Sequence, residues 1–543
     1  MSIDLSLDRL RILISHLPSY TRPTCHIAGT NGKGSVSALV STILQSSSPS
    51  LKVGRYNSPH LVSLYDCITI DNIPVSPASY NVAHAEVTEK DFEKGTKLSN
   101  FEILTLTALR VFEREQVDVA VVEVGMGGRL DATNIIPDDT VLVSALTAVD
   151  LDHQFFLGDT VGKIALEKAG IARKKAPFVL GFQNPAHAQE VVASVNKVVD
   201  EVGAVLVPAI TVLKRDWDTT VDGPPPGSFS LLSSLSQLPP PQPVKISLPC
   251  FSSPLQALLP LYGAHQLDNL GTALTVINVL LTDPSCEEKL IRNSSTYGST
   301  LMSPKDVITL ESVARGIKET NWPGRLSFHT VHLPSSPSTP NKAPPPFLVL
   351  ADGAHNSASA KTLGDYINHL LYQTVVSTKE GPNYQANQTC INFNITYILS
   401  LSHSPPKTPL QTLSPLFSPG SIIIEFGDIA ASMTISVALL RFTPPEGMPW
   451  IKCTPPTEVE EVVKGLIPDA DVLVVPDDAA ADVDAKKTEG KKSQSALEKA
   501  LRWAAGKRKE TGEDGVRQAN LVVLAGSLYF VADFYRFLDQ LIL

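Results

Sequence analysis

The chain has 543 residues, 43% of them hydrophobic, with 45 basic against 55 acidic side chains and a net charge of -10. At about 100–200 residues per domain, that length accommodates two or three domains. The acidic balance and the lack of any long basic block exclude nucleic acid as the main partner, so an anionic ligand must be held by a local site working against the overall field.

The N-terminus, MSIDLSLDRLRILISHL, reads as an amphipathic helix bearing acidic residues. It has neither the apolar core of a signal peptide nor the acid-poor, Arg/Ser-rich character of a transit peptide. No run of about 18 apolar residues follows anywhere, so no membrane span is expected. The six scattered cysteines form no C-x-x-C pair and no zinc-spaced cluster with histidine. A reducing cytoplasm fits these features, with a mitochondrial location as the alternative.

Next come TCHIAGT, a short strand, and GTNGKGS, residues 29–35, a glycine-rich turn opening a helix. Gly29, Gly32 and Gly34 let backbone N–H groups approach phosphate oxygens, and the helix N-terminus adds a positive dipole. Lys33 supplies a point charge and Ser35 a hydroxyl, with Thr30 and Asn31 completing the loop. The stretch departs from the strict G-x-x-x-x-G-K-[ST] pattern, because Gly34 stands between the lysine and the hydroxyl.

FEILTLTALRVFEREQ reads as a helix, and VDVAVVEVG (117–125) and TVLVSAL (140–146) as strands buried on both faces. This alternation predicts a parallel sheet covered by helices. Glu123 ends its strand beside the glycine turn of VVEVGMGGRLDATN, where a hard oxygen ligand suits Mg²⁺; an ordinary salt-bridged strand end is the equal alternative. His153 of LDHQFFLGDT follows the next strand, and Lys168 lies in the helix after it. On spacing alone both read more readily as structural.

Proline-rich or low-complexity stretches at about 221–245, 334–346, 404–420 and 476–495 read as surface insertions or loops. SIIIEFGDIAASMTISVALL (421–440), which carries Glu425 and Asp428, reads as a buried strand followed by a helix. After about residue 320 the α/β alternation restarts through FLVLADGAHN, NITYILSLSH, DVLVVPD and NLVVLAGSLYF, with SALEKALRWAAGKRK as a helix. Two α/β domains are expected, 1–320 and 321–543. Asp352 and His355 of LADGAHN could hold a ribose hydroxyl and a phosphate, or cap a turn. No G-x-S-x-G elbow occurs, and GMGGRL has the wrong glycine spacing for a dinucleotide fingerprint. The pieces together describe an ATP–Mg²⁺ enzyme.

GTNGKGS, YNSPHL, VEVGMGGRLDATN, LDHQFFLGDT, EKAGI, GAHQLDN, NWPGR and DGAHN occur in this order. Together they resemble the dihydrofolate synthase and folylpolyglutamate synthase family of the Mur ligase superfamily. The resemblance implies a three-layer P-loop ATP-binding domain with a parallel-rich sheet, then a smaller, Rossmann-like α/β C-terminal glutamate ligase domain. It implies an ATP-dependent amide ligase that phosphorylates a carboxylate and passes the acyl group to the amine of L-glutamate. Gly29 to Ser35 match the phosphate loop, with Lys33 on phosphate. Ser58, Glu123 and His153 match magnesium ligands, and Lys168 the lysine that is carbamylated in family members. His265, Gln266 and Asn269 match an adenine-side helix, and Arg325, Asp352 and His355 match nucleotide contacts. Asn31, Asp66 and the pair Phe101–Glu102, the latter at the substrate site, resemble dihydrofolate synthases of fungal type or bacterial enzymes. The expected acceptor is therefore dihydropteroate, with folylpolyglutamate synthesis or both activities as alternatives. The expected partners are small molecules, and the chain is expected to be a monomer. A plain P-loop NTPase would have no use for DGAHN or NWPGR.

Overall fold

The structure, a computed structural model, describes residues 6–232, 238–293, 303–335, 343–380, 390–417, 430–445, 448, 451–476, 495–509 and 516–542. Nearly all of the segment 476–495 lies outside the described residues, as do Glu425 and Asp428. The chain forms two compact units, one of residues 1–225 and 241–322, the other of 226–240 and 323–543. The division after Trp322 falls two residues beyond the boundary expected at 320. Residues 226–240 are a correction: composition places them in the first domain, but they group with the second unit. Their anchors are Phe229 and Leu231, both buried. The Phe229 ring meets Phe328 at 6.0 Å, and the Leu231 N–H donates to Thr374 Oγ1 at 3.1 Å.

The first unit is built on an eight-stranded sheet. Its strands, edge to edge, are Ile73–Pro74, Ile68–Ile70, Val53–Tyr56, Val119–Glu123, Thr24–Ala28, Val141–Leu146, Pro177–Leu180 and Val205–Pro208. All neighbours from Val53–Tyr56 onward pair in parallel. The central strands are mostly apolar and buried along their whole length because helices cover both faces. On one face Ile27, Val121 and Val143 pack with Leu39, Val40 and Ile43 of the helix Lys33–Gln45. On the other, Ala120 and Val122 meet Leu106 and Phe112 of the helix Asn100–Arg114. Truncating Leu39, Ile43 or Leu106 to alanine costs about 2–5 kcal/mol each. A three-stranded antiparallel sheet, Leu213–Lys214, Gln242–Ile246 and Leu255–Leu259, completes this unit and takes up the end of the stretch read as an insertion at 221–245.

The second unit holds a six-stranded sheet in the order Ser327–Val331, Phe347–Ala351, Arg517–Ala525, Cys390–Leu399, Ala430–Leu439 and Asp471–Val474. Only the first pair is antiparallel. Ala430–Leu439, expected as a helix, is a strand in unbroken parallel register with Cys390–Leu399. The β-branched Thr434, Ile435 and Val437 favour that pleated environment. Part of the stretch expected as a featureless insertion at 404–420 forms the helix Pro409–Leu416, started by proline at its first position and capped by Thr408. No described helix is long and apolar enough to cross a membrane.

Candidate functional site

Four parallel strands of the first unit end side by side. Register pairs Ile27 with Glu123, Tyr56 with Val122, and Ala28 with Leu146. The segments that follow, beginning at Gly29, Asn57, Val124 and Thr147, therefore emerge together at the carboxyl edge, where open α/β sheets bind ligands.

Gly29 to Ser35 turn there from strand into helix. Gly32 adopts φ +93°, a left-handed conformation natural to glycine, and sits against the Asn269 amide. The Thr30 N–H donates to the Ala148 carbonyl at 2.8 Å, and the Asn31 amide donates to the Asp150 carboxylate at 3.0 Å. Gly34, the residue that breaks the strict pattern, has a steric reason: a Cβ there would lie 2.4 Å from Cζ2 of Trp322.

Lys33 begins the helix, its Nζ donating to the Thr30 carbonyl at 3.3 Å and lying 3.8 Å from Glu123 Oε1. Glu123 is buried, and its Oε2 accepts from Asn57 Nδ2 at 2.6 Å. Asn57 was not singled out from sequence; its signal is its place beside Ser58 in YNSPHL. Arg55, two residues earlier, is a buried cation that burial pushes down to about 10, against the pull of Glu123. The buried Glu123 carboxylate, faced by the Lys33 ammonium and the Asn57 amide N–H, is a hard oxygen ligand that fits Mg²⁺, and Ser58, next to Asn57 in sequence, carries a second oxygen. His153 is exposed, at φ +50° before the short helix Gln154–Leu157, with Nε2 3.9 Å from Asp152. Among the described residues no three His, Cys, Asp or Glu side chains group to hold a metal; the expected ligand set contains only two of these residue types.

The turn after Glu123 is closed by Asp131, whose carboxylate accepts from the backbone N–H groups of Met126 and Thr133 at 2.8 and 3.0 Å. Burial pushes the Asp131 carboxyl up despite these bonds. The turn rests on the end of the helix Val161–Ala169, where a Cβ on Gly128 would lie 2.6 Å from the Lys168 carbonyl. Lys168 itself is 3% exposed and donates to the Gly29 carbonyl at 2.8 Å. Burial first, then the Lys33 charge, pull its amine from 10.5 to about 7.

The helix His265–Thr282 brings its first turns against the loop. Gln266 Nε2 donates to Ser35 Oγ at 3.2 Å, and Asn269 donates to Gln266 at 2.9 Å. His265, the first residue of this helix, is partly buried. Phe101 packs on Gly125. Glu102 is occupied structurally: it accepts from the Ser99 N–H at 2.7 Å in a capping box and pairs with Arg9 at 3.1 Å. Asp66 likewise caps a turn, accepting from the N–H groups of Val62 and Ser63.

In the second unit, Asp352 is buried and accepts from the N–H groups of Leu326 and Ala354, both at 2.8 Å. Burial pushes its carboxyl up, while Arg325 opposes the shift. Arg325 donates to the Gly324 carbonyl at 3.0 Å, and the ring Nδ1 of His355 lies 2.9 Å from the Gly353 carbonyl oxygen. His355 also lines a cavity of about 190 Å³ with His403, Lys407, Thr408 and Glu458. Lys407 donates to the His355 carbonyl at 2.7 Å. Lys407 and His403 were not singled out from sequence; the signal was a histidine and a lysine in the loop that follows the strand Cys390–Leu399.

The family profile described as "Dihydrofolate synthetase, C-terminal domain" matches residues 339–537. The chain is 31% identical over 467 residues to "Dihydrofolate synthetase" of Saccharomyces cerevisiae, covering 85% of this chain and 87% of that one. It is 28% identical over 541 residues to "Probable dihydrofolate synthetase" of Schizosaccharomyces pombe, covering 99% of each. Among solved structures, "Mycobacterium tuberculosis Folylpolyglutamate synthase complexed with ADP" superposes with a TM-score of 0.66 at 22% identity, over 99% of this chain and 95% of that one; at this identity the likeness establishes the fold.

Proposed function

The chain belongs to the dihydrofolate synthase and folylpolyglutamate synthase family of ATP-dependent ligases, and on that premise we propose that it joins L-glutamate to dihydropteroate, giving dihydrofolate, ADP and phosphate. The observation that carries this reading is the phosphate loop with Lys33 set 3.8 Å from the buried Glu123 carboxylate. The names of the two yeast relatives favour dihydropteroate as the acceptor.

A carboxylate resists amines because its charge repels the nucleophile and it lacks a leaving group. In the proposed reaction a carboxylate oxygen of dihydropteroate attacks the γ-phosphorus, the bond to ADP breaks, and an acyl phosphate forms. The glutamate amine adds to its carbonyl carbon, loses a proton, and phosphate departs from the tetrahedral intermediate. Lys33 and the N–H groups of the first helical turn, Lys33 to Ser35, stabilise charge spreading over the transferred phosphoryl oxygens. Ser58, Glu123 and His153 would hold Mg²⁺, which when bound supplies further neutralisation of the phosphate oxygens. Asn57 fixes the orientation of the Glu123 carboxylate.

Lys168 is the site of the proposed carbamylation. Its ammonium first gives up a proton, and the neutral amine then attacks CO₂, forming the N–C bond and releasing a second proton, so that a buried cation becomes a carbamate anion. Burial favours that exchange by keeping part of the amine neutral. His265, Gln266 and Asn269 are the proposed adenine-side residues, and Arg325, Asp352 and His355 the proposed nucleotide contacts of the second unit. A cytoplasmic monomer completes the reading.

The test is a product assay with ATP, Mg²⁺ and glutamate, offering dihydropteroate and monoglutamyl tetrahydrofolate separately. Dihydrofolate should form from the first. Turnover of the second alone would replace the proposed acceptor, and turnover of neither would overturn the ligation itself.

A further inference from the structure

The helix Leu310–Glu319 lies directly on the phosphate-loop helix Lys33–Gln45. Contact is at backbone range: a Cβ on Gly316 would fall 2.5 Å from Cα of Ile43. Arg315 donates to the Ser46 carbonyl just past the end of that helix. Three residues beyond Glu319 stands Trp322, the last residue of the first unit. Its indole covers Gly34, with Cζ2, Cε2 and Nε1 at 2.4, 2.8 and 3.0 Å from the position of a Cβ there. On the indole lies the Arg55 guanidinium, 5.1 Å from the ring centroid and bonded through Nη1 to Ser41 Oγ at 3.3 Å. Arg55 Nε is buried without a hydrogen-bond partner, so the ring face is a substantial part of what offsets the cost of this buried cation.

We propose that Trp322 is a positioning residue for the phosphate loop, wedged between Gly34 and Arg55, and that it ties nucleotide occupancy of the loop to the point where the chain leaves the first unit. The loop's departure from the strict pattern then has a function. Glycine at 34 makes room for the indole, and the indole holds the N–H groups of the first helical turn in place. A shift of this turn on binding phosphate then moves Trp322, whose indole fills the space beside Gly34, while the helix Leu310–Glu319 packs at backbone range on the same loop helix. The inference rests on the reading of Gly29 to Ser35 as the nucleotide site but assigns a residue outside it.

The experiment is a double-mutant cycle on the full chain, read by MgADP affinity. Gly34→Ala should weaken MgADP at least tenfold in the wild-type background and less than threefold in a Trp322→Leu background, where the added methyl has space. Equal losses in both backgrounds would overturn the coupling. Should Gly34→Ala fail to fold, intrinsic fluorescence decides: Trp322→Leu should abolish most of the MgADP-induced change in tryptophan emission, and an unchanged response would overturn the proposal. Wild-type protein that binds no MgADP would remove the phosphate-loop reading and this inference with it. Binding with additive losses removes only the inference.

Discussion

The buried ammonium of Lys168 is fastened to the Gly29 carbonyl at 2.8 Å. The residue proposed to be carbamylated is thus tied to the first glycine of the phosphate loop. Free amine is the form that reacts with CO₂, and it predominates only above the lowered value of about 7. Wild-type enzyme held in CO₂-free buffer should lose activity and recover on adding bicarbonate, faster at pH 8 than at pH 6. Lys168→Met should remain folded, with kcat reduced at least tenfold and no response to bicarbonate. Activity indifferent to CO₂ in the wild type would remove the carbamate.

Lys33→Ala removes a lysine that stands within 4 Å of Glu123 at the loop. By comparison with losses of single oxyanion donors, kcat should fall about 10²–10³-fold, or roughly 3–4 kcal/mol. Thermal stability should fall as well, since the side chain is 16% exposed and faces the buried Glu123 at 3.8 Å, with a bond of 3.3 Å to the Thr30 carbonyl. Steady-state kinetics with a thermal melt on the same preparation separates the two effects; near-normal turnover contradicts the role given to Lys33.

The phosphate loop was legible because glycines, lysine, hydroxyl and helix start are all local in sequence, and the buried strands because their apolar runs are continuous. Asn57 and Arg55 were not. Their importance depends on Val53–Tyr56 lying beside Val119–Glu123, a pairing between segments far apart in the chain. Ala430–Leu439 misled because alanine, serine and methionine carry no firm period, and its parallel partner decides its state. Residues 226–240 read as low complexity by composition, yet the two apolar anchors Phe229 and Leu231 attach them to the second unit. Glu102 stands out in the sequence only as a family position, and the geometry adds a capping box with Ser99.

That geometry gives Glu102 a measurable consequence. Glu102→Ala loses the reciprocal cap to Ser99 and the pair with Arg9. The expected cost is about 1–2 kcal/mol of stability, with the Michaelis constant for dihydropteroate within threefold of wild type. Denaturant unfolding and initial-rate kinetics check both halves. A tenfold rise in that constant without loss of stability would instead support the substrate-site role expected for Glu102.

His329 supplies a pH dependence away from the chemistry. Its ring meets Phe534 at 5.4 Å and Tyr535 at 5.1 Å, and Nε2 lies 3.0 Å from the Tyr535 hydroxyl. Burial pulls its value from 6.5 to about 4, so the folded state holds fewer protons than the unfolded chain between those limits. Stability from this group is complete above pH 6.5 and is lost as pH falls toward 4, with at most about 2 kcal/mol gone by pH 5. His329→Gln keeps a hydrogen-bonding side chain without titrating, so its stability should fall less between pH 7 and pH 5 than that of the wild type. Urea unfolding at both pH values gives the comparison, and the difference between the two proteins isolates His329 from the carboxylates that titrate in the same window. Identical losses in wild type and variant would show that the histidine is not the group responsible.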